Sequence, residues 1–282
     1  MSPINFSKLC EGLVGRTVQR PNQASAGTLS GHAAGEPFEK LVYHVLKNDF
    51  PGQLFKQFEY LNDLYLRHPT EITLEAKQRL IQSPTVLFLI TRGDASTQKW
   101  SPDNLFAEKQ NDTADMLFNE GDYFDLIDVK TRNVGKNAQP PNIISARKLA
   151  GMCARMIDNQ DFDVLDIDYV EVDWQEDGDE LRCVNAHHAN LFKIPPATLY
   201  INWTAATQLQ FHVADARQDW AETKEQWARR FISHFVYSAK ERCKAMLTDF
   251  VVPYLKYLSE EERAAIFTDK ESPSRICFEL PH

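Results

Sequence analysis

The sequence predicts an α/β fold, a mixed β-sheet flanked by α-helices, and three patterns in its 282 residues lead there. Residues 113–118 and 123–130 are apolar, β-prone runs separated by the turn residues Asn119-Glu120-Gly121-Asp122, the pattern of a hairpin. A second strand, 163–174, turns at Asp177-Gly178 into a return strand that ends near Ala186. Between and around these runs lie segments whose apolar residues recur at helical spacing.

Taken in order, Gly35-Glu36-Pro37 precedes the periodic residues Phe38, Leu41, Val42 and Val45, which reads as a helix with proline in its first turn. Helical patterns also cover about 52–67 and 71–82. The continuously apolar stretch 84–91 reads as a fully buried strand. After a loop over 133–141, a helix from about Asn142 turns Ile144, Leu149, Met152 and Met156 inward. Within 163–174 the apolar phase moves from Leu165, Ile167 and Tyr169 to Val170, Val172 and Trp174, which predicts a bulge near Tyr169. Short strand-like pieces occupy 199–213, and a long helix over 223–250 stops or kinks near Pro253. With no internal repeat or low-complexity linker, the expectation is one domain over 1–258 and an acidic extension over 259–282.

Composition is that of a globular chain, 43% hydrophobic and 25% charged. No apolar run approaches the roughly 18 residues that a membrane span needs. The N-terminal residues lack the basic and apolar regions of a signal peptide, so the expected location is cytoplasmic. Five scattered cysteines, Cys10, Cys153, Cys183, Cys243 and Cys277, form no CxxC pair and favour reduced thiols over disulfides or zinc. A net charge of −9 argues against DNA at first sight, yet net charge says little about its distribution. Lys130, Arg132, Lys136, Arg147 and Lys148 follow one another without an intervening acid, either a DNA-facing strip or an ordinary solvated face.

Chemistry concentrates in the hairpin. Strand side chains alternate, so Asp128 and Lys130 share a face, and pairing across the turn brings Asp115, in the middle of the first strand, toward Asp128. Two carboxylates and an amine in one place are the groups that metal-assisted phosphodiester hydrolysis requires. A hard divalent cation takes oxygen ligands and lowers the pKa of a bound water, and an ammonium group orients that water or stabilises charge. The same Asp-x-Lys spacing also occurs on solvated sheet faces, so the motif alone leaves both readings open.

Longer segments carry more information. Residues 27–40 (GTLSGHAAGEPFEK), 108–115 (EKQNDTAD), 128–133 (DVKTRN), 141–146 (PNIISA) and 200–203 (YINW) resemble the HincII family of type II restriction endonucleases, and the similarity runs near-continuously from about Gly15 to about Tyr257. The resemblance implies the restriction-endonuclease-like PD-(D/E)xK fold and a homodimer. It also implies Mg²⁺ dependence and blunt cleavage of double-stranded DNA at GTYRAC, alongside a cognate DNA methyltransferase. It makes Asp115, Asp128 and Lys130 catalytic, with Asp115, Asp128 and the Val129 carbonyl as metal ligands. Ala114 replaces the family's usual proline before the first carboxylate. Gln139 matches a side chain that wedges between bases, with Asn142 a nearby polar contact, although Pro140 departs from the family's Gln-Ala-Pro-Asn pattern and restricts the Gln139 backbone. Tyr200 and Asn202 match the major-groove segment, where an amide suits a base edge. Gln110 is a further DNA contact, His32 a positioning residue near DNA, and Glu39 an outer carboxylate of the active site. His187, His188 and Cys183 lack metal spacing and read as core or surface residues. Alternatives on the same fold are a structure-specific repair or junction nuclease and a non-cleaving DNA-binding protein.

Overall fold

Two long parallel strands, β4 (Tyr123–Asn133) and β6 (Leu165–Asp177), form the middle of a six-stranded sheet. The computed structural model describes residues 2–21, 31–67, 83–90, 113–137, 139–204 and 207–267. The sheet order is β1-β7-β6-β4-β3-β2, with β1 Thr17–Gln19, β2 Leu54–Phe55, β3 Met116–Glu120 and β7 Glu180–Asn190, and every pairing except β4 with β6 is antiparallel. A smaller sheet, β5-β9-β8, joins Asn142–Ser145, Gln208–Gln210 and Tyr200–Asn202. Met1–Phe235 and Val236–His282 are two compact units. No described helix is long and apolar enough to cross a membrane.

The larger sheet separates two apolar clusters. Leu117, Phe124, Leu126, Leu165, Ile167 and Tyr169 belong to one, and Met116, Phe118, Ile127, Val129, Val170, Val172 and Trp174 to the other. Each such side chain, once buried, contributes roughly 1.5–3 kcal/mol. Ten consecutive residues of β6, from Leu165 to Trp174, are buried, which explains the change of apolar phase without a bulge in this strand. The irregularity lies further on. Asp173 faces Asn185 while Trp174 faces Cys183, so Val184 of β7 is the unpaired residue. The return strand also continues past Ala186 to Asn190.

Several expected elements differ. Pro84–Ile90 is a helix, not a strand, because Ser83-Pro84 starts it as a cap and first-turn proline: Ser83 Oγ accepts from Val86 N–H at 3.2 Å and Asp161 accepts from Thr85 N–H at 3.3 Å. The segment from Asn142 enters as β5, and the helix starts at Ala146, where Ser145 Oγ accepts from Lys148 N–H at 3.3 Å; Leu149, Met152 and Met156 do face inward. The helix Gly31–Asp49 begins upstream of Gly35 and encloses Pro37, so the Ala33 carbonyl lacks its helical donor. The 52–67 segment divides into β2 and the helix Gln57–Arg67, and 71–82 lies outside the described residues. The long helix runs Lys224–Met246, then passes through a π turn, Leu247–Val251, and a 3-10 segment, Val252–Tyr257, that contains Pro253.

Candidate active site

The hairpin brings Asp115, Asp128 and Lys130 together, with a tighter turn than expected. Glu120 pairs with Tyr123, leaving the two-residue turn Gly121-Asp122, and Gly121 takes φ 59°, the backbone a first-position glycine supplies at no steric cost. Met116 faces Ile127, so Asp115 stands just before β3, not within it, level with Asp128. Asp115 Oδ2 accepts from the Val129 backbone N–H at 2.7 Å, and Lys130 Nζ lies 2.6 Å from Asp128 Oδ2. Burial and then the nearby Asp128 charge hold the Asp115 carboxyl well above the usual carboxylate range. Burial works against the Lys130 ammonium, but Asp128 and Asp115 outweigh it, Glu39 adds to them, and the amine is raised to a firmly charged state. Glu39 itself is 2.6 Å from Lys56 Nζ.

Asp115 is aimed by a residue that sequence reasoning missed. Gln57, buried, accepts from the Thr113 and Ala114 N–H groups at 3.0 and 3.3 Å and donates to the Ile90 carbonyl at 2.9 Å. Thr113 Oγ1 donates to the Leu89 carbonyl at 2.6 Å, and Lys148 Nζ donates to both. The backbone entering Asp115 is therefore fixed on three sides. Within the expected basic strip Lys148 is held by these contacts, and Arg132 makes two 2.7 Å bonds to Asp173, both side chains remaining half-buried. Of the expected basic strip, Lys136 and Arg147 are exposed.

The smaller sheet gathers polar side chains. Asn142 pairs with Gln210 across β5 and β9, and Tyr200 pairs with Gln210 across β8 and β9. Asn202 Nδ2 donates to Gln210 Oε1 at 2.9 Å, and Gln210 Nε2 donates to Asn142 Oδ1 at 2.8 Å. Gln210 links the two asparagines. Its only sequence signal is the Gln208-Leu209-Gln210 alternation, amides on either side of a buried leucine. Tyr200 is 63% exposed, an aromatic face left open rather than packed, whereas Trp203 stacks on Phe235 at 5.7 Å. Gln139 and Pro140 are exposed in the loop between β4 and β5, Gln110 lies outside the described residues, and His32 sits in the Gly31–Asp49 helix. His187 and His188 lie 3.1 Å from Asp173 and 2.6 Å from Asp168, paired within the sheet. Cys10, Cys153 and Cys183 are buried free thiols and Cys243 an exposed one.

Two carboxylates thus meet at the start of a hairpin beside a charged amine. The sequence profile of the family described as "Restriction endonuclease HincII" matches residues 9–258. The type II restriction enzymes HindII and HincII of Haemophilus influenzae are each 54% identical over 246 residues, 87% of this chain and 94% of theirs. Among solved structures, NlaIV restriction endonuclease aligns over 83% of this chain and 85% of its own at 9% identity, with a TM-score of 0.35. The chain belongs to the HincII family of type II restriction endonucleases, enzymes that cleave DNA at specific sites.

Proposed function

We propose that the chain acts as a homodimer that cuts double-stranded DNA bluntly at GTYRAC, with Mg²⁺ as cofactor, and leaves 5′-phosphates. The convergence of Asp115, Asp128 and Lys130 carries this reading. A set of two carboxylates suits Mg²⁺, which keeps several waters and takes one or two protein carboxylates plus phosphate oxygens. Among the described residues no third His, Cys, Asp or Glu joins them, as it would for an all-protein cage. Burial and the neighbouring Asp128 charge raise the Asp115 carboxyl well above the usual carboxylate range, and a divalent ion between the two would supply the positive charge that relieves this. The Val129 carbonyl would be a third ligand, as the family resemblance implies, on the residue whose N–H is bonded to Asp115.

When bound, the metal neutralises phosphoryl charge and lowers the pKa of an attacking water. Asp115 and Asp128 fix its position. Lys130, kept charged, orients the water and stabilises charge on the phosphate without giving up its own proton first. Asn142, Gln210 and Asn202, bonded to one another and with the Asn202 oxygen accepting from Thr204, present their remaining amide groups to base edges, and Tyr200 covers the central pairs. Gln139 wedges between bases, where a flexible pyrimidine–purine centre is selected by its low cost of deformation. A self-complementary site fits a two-fold dimer, and a cognate methyltransferase working in the same cytoplasm protects host DNA. Plasmid DNA carrying GTYRAC should be linearised at that site in Mg²⁺ and bound but left intact in Ca²⁺. Cutting at DNA junctions irrespective of sequence would replace this reading with that of a repair nuclease.

A further inference from the structure

The connection that leaves the smaller sheet, residues 211–215, meets the larger sheet beside each catalytic-strand residue in turn. Parallel register sets Asp128 beside Tyr169, Lys130 beside Glu171 and Arg132 beside Asp173. Phe211 packs edge-on against Tyr169, ring centroids 6.0 Å apart. His212 Nδ1 lies 2.7 Å from Glu171 Oε1, and the Ala214 N–H donates to Glu171 Oε2 at 3.1 Å. Asp215 reaches Arg132 at 4.0 Å. Gln210, the amide that joins Asn142 to Asn202, is one residue upstream of Phe211.

Glu171 is fully buried. A carboxylate there is costly unless donors hold it, and an apolar residue would pack a core with less penalty. Both of its oxygens are used on this one connection. We propose that Glu171 and His212 are positioning residues that hold the base-reading sheet in fixed register with the catalytic strand, so that engagement of base edges by Asn142, Asn202 and Gln210 sets the scissile phosphate at Asp128 and Lys130. The proposal rests on the function assigned above. A rigid strut is needed because a misplacement of about 1 Å between reading groups and reacting atoms costs on the order of 100-fold in rate.

Three variants test the strut. Glu171→Gln keeps volume and still accepts from the Ala214 N–H, but turns an amide N–H toward His212. His212→Ala removes the contact, and His212→Asn returns a donor near the Nδ1 position. Each is compared with the wild-type enzyme on a duplex bearing the site that the wild type itself cuts, by single-turnover rate in Mg²⁺, Kd in Ca²⁺ and melting temperature. His212→Ala and Glu171→Gln should slow cleavage about 10- to 100-fold with Kd within about threefold, and His212→Asn should recover most of the rate. Variants that fold and cut within about twofold of wild type overturn the proposal, as does a rate loss matched by Kd and not recovered by asparagine. A wrong assignment of the recognition sequence shows separately, in where the wild type cuts.

Discussion

Lys130 is flanked by two carboxylates that favour its charged form, so in the proposed mechanism it acts as a fixed ammonium close to the phosphate. Lys130→Ala removes that charge and leaves Asp128 with Asp115 alone. Cleavage should fall at least about 100-fold, the loss typical of a preorganised charge-stabilising group, while Ca²⁺-supported DNA binding persists because the proposed reading groups lie on the other sheet. Single-turnover rates with a parallel binding titration check this. A variant that retains more than about one percent of the rate shows that Lys130 is not part of the machinery.

At the scale of the element, β4 and β6 use opposite faces differently. One face carries Asp128 and Lys130. The other buries Asp125, with Asp166 and Asp168, among Tyr123, His188, Asn190 and Lys224. Burial, with Asp168 nearby, holds the Asp125 carboxyl well above its ordinary range, and burial pushes Asp168 up to about 7. The folded chain keeps protons here that unfolded carboxylates, with pKa about 3.9, release. Stability from this pair is therefore greatest near pH 4 and declines as pH rises to about 7. His188, pushed down to about 4 by burial, has the opposite slope between there and its ordinary value and offsets part of the decline. Asp125→Asn supplies a permanent N–H to Asp168 and should raise the melting temperature near pH 8 by roughly 2–4 °C, about 1 kcal/mol, and flatten the decline. Melting curves from about pH 4 to 8 that leave the variant equal to or below wild type throughout contradict the pairing.

The hairpin and its Asp128-x-Lys130 face were legible in sequence because they depend on local alternation and a turn glycine. The helix at Pro84 was not, since Asp161, which caps it, is 76 residues from Thr85. Gln57 escaped notice for the same reason, acting on backbone 56 residues away. The apolar phase change in β6 was visible, but a strand buried on both faces produces it as readily as a bulge. Asn142 and Asn202 could be named singly. Their union through Gln210 exists only once three short strands pair.

For the molecule as a whole, the acidic balance is less of a barrier to DNA than −9 implies. Asp166, Asp168, Glu171 and Asp173 are buried in β6 and matched by Lys224, His188, His212, Arg132 and His187. These charges are internal scaffolding, and the surface that meets DNA is set by local distribution. In the proposed enzyme the hairpin of Asp128 and Lys130, the smaller sheet and the strut between them act together, repeated by two-fold symmetry across a palindrome. Digestion of genomic DNA with the wild-type enzyme in Mg²⁺, followed by sequencing of every cut end, tests that joint claim most directly. The ends should be blunt, carry 5′-phosphates and fall between Y and R of GTYRAC; staggered ends, or a consensus without the pyrimidine–purine centre, would contradict it.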